Sequence, residues 1–131
     1  MAVWETDPNL ASQPGVVADF ARVWQAADKI VYSTTLPAPS TERTVIERSF
    51  EPEAVRRLKA TAERDLMIGG ATIAAAAFRA GLVDQCHLFL VPVIVGGGKR
   101  ALPERVRLDL DLIEERQFSN GTVHLHYHVR T

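Results

Sequence analysis

DLMIGGATIAAAAFRAGLVDQCHLFLVPVIVGGGKR, residues Asp65 to Arg100, decides how this chain is read. Asp65 to Ile68 is a short apolar run that predicts a strand. Gly69-Gly70 then predicts a tight turn, and Ala71 opens an alanine-rich helix that stops at Gly81. Strand, glycine turn and helix N-terminus in succession aim unpaired backbone N–H groups and the positive end of a helix dipole at one point, which suits a phosphate group. Two adjacent glycines let the backbone approach a ligand closely. The same succession also describes a plain packing turn. The chain contains neither G-x-G-x-x-G nor G-x-x-x-x-G-K-[ST], so neither a Rossmann fingerprint nor a P-loop is present. At the far end of the stretch, Gly96-Gly97-Gly98-Lys99-Arg100 reads as a flexible basic loop, suited to an anionic ligand or simply to a mobile connection.

The whole chain sets bounds on this unit. Its 131 residues predict one domain, long enough to bury a core. With 47% hydrophobic and 24% charged residues and a formal net charge of -1, the composition is that of an ordinary globular chain and gives no electrostatic reason to expect nucleic acid or an anionic membrane as partner. Cys86 is the only cysteine, which excludes an internal disulfide and a cysteine-based metal cluster and fits a reducing cytoplasm. The longest apolar run, Leu88 to Val95, contains Pro92 and is too short to span a bilayer.

Ahead of the central stretch, Met1 to Pro14 reads as an irregular lead-in. Val16, Val17, Phe20, Val23, Trp24 and Ala27 recur at helical spacing and predict an amphipathic helix with a core-facing apolar stripe, Ser12 as cap and Pro14 in the first turn. Lys29 to Ser33 predicts a strand ending in Ser33-Thr34-Thr35, hydroxyls that suit either a phosphate or the loop's own backbone. Thr44 to Ile46 is a second strand candidate. Pro52 to Ala62 predicts a helix with Val55, Leu58 and Ala62 inward and a basic cluster of Arg56, Arg57 and Lys59, read as a solvated surface or as phosphate steering. Beyond the stretch, Arg107 to Phe118 and Thr122 to Arg130 flank Ser119-Asn120-Gly121 as a β-hairpin. Val123, Leu125, Tyr127 and Val129 take one face and His124, His126 and His128 the other. The histidine row is expected to be a solvated face rather than a metal site. Together these elements predict an α/β layer, mainly parallel with an antiparallel edge, in which the Ser33 and Gly69-Gly70 turns face one cleft if their strands are neighbours.

Four segments in order, KIVYSTTL (Lys29 to Leu36), DLMIGGATIAAAAFRAGLVDQ (Asp65 to Gln85), PVIVGGGKR (Pro92 to Arg100) and FSNGTVHLHY (Phe118 to Tyr127), resemble the reductase domain of bacterial riboflavin-biosynthesis deaminase-reductases, a family similar in fold to dihydrofolate reductase. The resemblance implies a dihydrofolate reductase-like three-layer α/β sandwich that binds NADPH. It puts Gly69, Gly70, Ala71, Thr72 and Ile73 at the pyrophosphate, and Ser33, Thr34 and Thr35 near the adenosine 2'-phosphate. It also implies a cis peptide between Gly69 and Gly70. The substrate class is a ribosylaminopyrimidine or pterin-like ring, and no metal is implied.

The departures qualify that expectation. The family's opening strand and Gly-Arg turn are not found in Met1 to Pro14, so the resemblance starts inside the domain and names no catalytic acid or base. An open apolar sheet then predicts a homodimer in which Cys86 to Val95 or the hairpin edge covers the gap. Two readings stand: an NADPH-dependent reductase of a small molecule, and a non-catalytic nucleotide-binding or truncated module stable as an oligomer. A hydrolase or metal site built on the histidine row is a third.

Overall fold

A computed structural model describes residues 3–10, 12–13 and 15–130. The chain falls into two compact units, Met1–Phe50 and Glu51–Thr131. The first contains α1 (Val3–Thr6), α2 (Val16–Ala26), β1 (Lys29–Tyr32) and β2 (Thr44–Glu47). The second contains α3 (Pro52–Thr61), α4 (Ala71–Arg79), β3 (Gln85–Leu90), β4 (Leu110–Gln117) and β5 (Val123–Val129).

In the first unit β1 and β2 pair in parallel, Lys29 opposite Thr44 through Tyr32 opposite Glu47, and Ser33 N–H donates to the Glu47 carbonyl at 3.0 Å to extend the ladder. The segment read as an irregular lead-in contains the single turn of α1. Its Glu5 pairs with Lys29 at 2.8 Å, and both side chains are only 11% exposed. The Lys29 ammonium also donates to the Trp24 and Ala27 carbonyls and lies over the Trp24 ring, so one cation ties α1, the C-terminal end of α2 and β1. The Lys29 hydrogen bond and charge hold the Glu5 carboxyl below the usual range.

Helix α2 departs from its expected cap. Gly15, at φ 73°, takes the N-cap position with no side-chain hydrogen bond, and the Ser12 hydroxyl donates instead to the Asn9 carbonyl. Pro14 lies outside the described residues. The apolar stripe is only partly used: Ala21 is buried, whereas Val16 and Val23 are 80% and 68% exposed.

In the second unit β5 is the centre of an antiparallel sheet ordered β3-β5-β4. Cys86 faces Tyr127 and Leu88 faces Leu125, so alternate residues of β3 and β5 present one apolar face. Phe78 from α4 packs there with Cys86 and Val129, bordered by Val83, Leu88, Leu108 and Tyr127. That confirms the expected division of β5 into a core row and a histidine row. The hairpin turn also forms as read, with Gly121 N–H donating to Phe118 O at 2.9 Å and Thr122 N–H to Asn120 Oδ1 at 3.0 Å. Helix α4 stops at Gly81, whose φ of 64° closes the C-terminus, and Leu82 N–H donates back to Ala77 O at 3.0 Å.

Two expectations fail here. Asp65 to Ile68 is extended but belongs to no ladder, because among the described residues no strand pairs with it, and Met67 is 96% exposed. No described peptide is cis, so the Gly69–Gly70 bond is trans; glycine's freedom in φ makes the turn instead. Parallel pairing is confined to β1 and β2, and the antiparallel part is larger than a hairpin because β3 joins it.

Candidate functional site

Helix α4 begins at Gly70, whose φ of 101° and ψ of 121° turn the chain into Ala71. The Gly70 carbonyl accepts the first helical hydrogen bond, from Ala74 N–H at 3.0 Å. No side chain caps the helix, so the N–H groups of its first turn are offered outward. A Cβ built on Gly69 meets nothing within 4 Å, and one on Gly70 meets only Ile73 Cγ2 at 3.6 Å, so this turn stands open.

Ala71 and Thr72 line an open depression of about 380 Å³ together with Ala75, Arg79, Lys99 and Arg100, and Leu102, Pro103 and Glu104 line it too. The triple-glycine loop thus brings its two cations to the N-terminal turns of α4. Positive backbone dipole and fixed positive charge meet in one place, which is the donor set a phosphate or pyrophosphate needs. Arg100 is bridged to Glu104 at 2.7 Å. Glu104 is the only carboxylate on the lining.

The hydroxyl turn sits in the first unit. Ser33 Oγ accepts from Leu36 N–H at 3.1 Å and Thr35 N–H at 3.3 Å, so this hydroxyl serves its own backbone, as one of the two readings held. Thr34 and Thr35 are exposed. The Arg48 guanidinium, which the sequence reading missed, donates to Ser33 O at 2.9 Å, Leu36 O at 2.6 Å and Pro37 O at 3.4 Å. It pins the turn and leaves a cation beside it. The only signal was a basic residue directly after β2, which nothing in the sequence links to a loop eleven to fifteen positions earlier.

The basic cluster on α3 has a structural task. Arg56 donates to Ala80 O at 2.9 Å and Lys59 to Leu82 O at 2.7 Å, so both cations meet carbonyls at the negative end of α4. Cys86 is buried, and burial pushes its thiol up, away from the thiolate a nucleophile requires. Among the described residues no group of three or more His, Cys, Asp or Glu is placed to hold a metal ion. Among the same residues no helix is long and apolar enough to cross a membrane.

Comparison with known proteins bears on this geometry. Residues 5–124 match the family model for the RibD C-terminal domain, a match that begins well before Lys29 and includes residues read as a lead-in. A relative in Bacillus subtilis (strain 168), the uncharacterized protein YyaP, is 35% identical over 78 residues, which are 58% of this chain and 42% of that relative. The chain thus matches less than half the length of that protein. A crystal structure of a protein from Shewanella sp. PV-4, described as belonging to riboflavin biosynthesis, superposes with a TM-score of 0.68 at 15% identity, covering 98% of this chain and 87% of that one. The likeness shows the mixed α/β fold of the dihydrofolate reductase-like type.

Proposed function

We infer the function from one premise: the chain belongs to the RibD C-terminal domain family, a reductase-like family of the riboflavin pathway. On that premise it is an NADPH-dependent reductase of a ribosylaminopyrimidine or pterin-like substrate. The observation that carries this reading is the uncapped, glycine-opened N-terminus of α4 facing Lys99 and Arg100 across one depression. The N–H groups of Ala71, Thr72 and Ile73, with Gly69 and Gly70 keeping the approach clear, would hold the pyrophosphate, and Lys99 would neutralise its charge. Thr34 and Thr35, on the turn that the Ser33 hydroxyl orders and with the Arg48 cation beside them, would hold the adenosine 2'-phosphate. When bound, the nicotinamide supplies the hydride, while the chain supplies orientation and electrostatics.

A second reading is nucleotide binding without turnover: the features described, the α4 N-terminus with Lys99 and Arg100, serve phosphate binding and supply no acid or base. Calorimetric titration with NADPH tests the first reading. Binding is expected, and Lys99→Ala should weaken it about 10- to 100-fold, as loss of a charge-assisted hydrogen bond worth about 1.5–3 kcal/mol predicts. No heat, and no rise in melting temperature at millimolar NADPH, would refute the cofactor assignment. Binding without reduction of any pyrimidine or pterin substrate selects the second reading.

A further inference from the structure

The outer face of the β3-β5-β4 sheet, opposite the Phe78 core, has a row of aromatic rings that the proposed function does not use. His87 and His126 lie face to face, centroids 3.9 Å apart and planes 17° apart, and Phe89 lies over His124 at 4.5 Å and 15°. His87 and His124 differ from these pairs. Their planes are 5° apart with centroids at 5.3 Å, yet His87 Nδ1 and His124 Nε2 are only 3.0 Å apart. The centroid separation exceeds the nitrogen separation by about two ring radii, so these rings lie side by side, edge nitrogen to edge nitrogen.

Two imidazole nitrogens at hydrogen-bond distance hold one proton between them, one nitrogen donating and the other accepting through its lone pair. A first added proton goes to a nitrogen outside the contact and makes the pair an imidazolium donating to a neutral imidazole, a stronger bond. A second can only go to the accepting nitrogen. It then sets two N–H groups against each other and two positive charges side by side.

The surroundings decide how that second charge is received. On β3 the outward neighbours are Gln85 and Phe89, both uncharged; Gln85 Oε1 is 2.9 Å from His126 Nε2. On β5 they are His126 and His128. On β4, Arg116 stands opposite His124, Glu114 opposite His126, and Asp111 opposite His128, where Asp111 is already paired with Arg130. The residue paired with His124 on β4 is therefore a cation, its guanidinium 5.1 Å over the Phe118 ring, and the carboxylate residue Glu114 is paired one outward position along, opposite His126.

We propose that His87 and His124 form a one-proton staple between β3 and β5, closed while the pair carries at most one positive charge and opened when both rings are protonated. The staple lies on the outer face of β3, the strand that runs on toward the Lys99–Arg100 loop. Its sign follows from linkage: the open form binds one more proton than the closed form, so acid favours opening.

Two measurements test it. In the intact protein at mildly alkaline pH, nitrogen-15 shifts should report one protonated and one bare nitrogen facing each other across the pair. Both protonated, or both bare, overturns the proposal. Hydrogen exchange at the β3 and β5 amides, corrected for its intrinsic pH dependence, should then give an opening constant that rises on acidification by up to about tenfold per pH unit, as uptake of one proton requires. His87→Phe, which keeps a ring over His126 and removes the shared proton, should abolish that slope. An equal slope in both proteins refutes the staple, and the nitrogen-15 result decides the matter if the variant does not fold.

Discussion

Glu5 and Lys29 illustrate how much one ion pair can tie together in a small unit, since the same ammonium reaches a carboxylate, two carbonyls and an indole. No local pattern announces this, because Glu5 lies in a stretch that reads as irregular. The Glu5 carboxyl is held below its ordinary value, so its stabilising effect is fully present above the unfolded-state value, and it is lost as pH falls through the folded one. Glu5→Gln should therefore lower the melting temperature at neutral pH, and the gap to wild type should shrink on acidification below the ordinary carboxylate range. A gap independent of pH would mean that packing, not charge, is lost. Gly70 carries a different lesson. At φ 101° a valine there is strained whatever the space, so Gly70→Val should destabilise the chain by about 1–3 kcal/mol in urea unfolding. It cannot separate binding from folding, which is why Lys99→Ala is the better probe of the site. The uncapped helix start at Gly69 to Ile73 was legible because a glycine turn before a helix is local chemistry. Lys99 was legible only as a charge in a loop, and Arg48 not at all, since its place at the Ser33 turn is set by the β1–β2 pairing.

Among elements, the hairpin was read from sequence nearly to the residue and the strand at Asp65 to Ile68 was not formed. The difference is physical. Ser119-Asn120-Gly121 and the alternation of β5 specify a partner a few residues away, whereas an isolated apolar run names no partner and becomes a strand only where one lies beside it. The hairpin turn is also tied to the rest of the second unit. Gly121 has φ 83°, and a Cβ there would meet Pro92 Cγ at 3.2 Å. Gly121→Ala should cost about 1–3 kcal/mol, from backbone strain and from the shift forced on Pro92, read as a lower urea midpoint with an unchanged slope. Helix α4 is held by Phe78 against Cys86 and Val129. Phe78→Ala should cost about 3–5 kcal/mol, a large share of the stability of a small domain, and should loosen the helix that lines the Lys99–Arg100 depression. Loss of less than about 1 kcal/mol would mean that α4 is fixed mainly by the Arg56 and Lys59 bonds just beyond its C-terminal turn.

For the molecule as a whole, the balance of burial leaves a requirement unmet. Among the described residues only Ala21, Ala77, Phe78, Leu82, Cys86 and Val129 are buried hydrophobics, although a chain of 131 residues is long enough to bury far more. Val91, Val93, Ile94 and Val95 are 57%, 61%, 97% and 79% exposed in one short segment, directly after β3 leaves the sheet at Leu90. A contiguous apolar surface of that kind ordinarily belongs to an interface. The homodimer expected from the sequence is the proposal that accounts for it, with the segment after β3 meeting its copy. Sedimentation equilibrium at micromolar concentration should give the mass of a dimer. Ile94→Lys would place an unpaired charge in that contact and should raise the dissociation constant at least about tenfold, while leaving the β3-β5-β4 sheet and the α4 depression unchanged by circular dichroism and NADPH titration. A wild-type chain that stays monomeric at the highest soluble concentration excludes self-association as the cover for this segment.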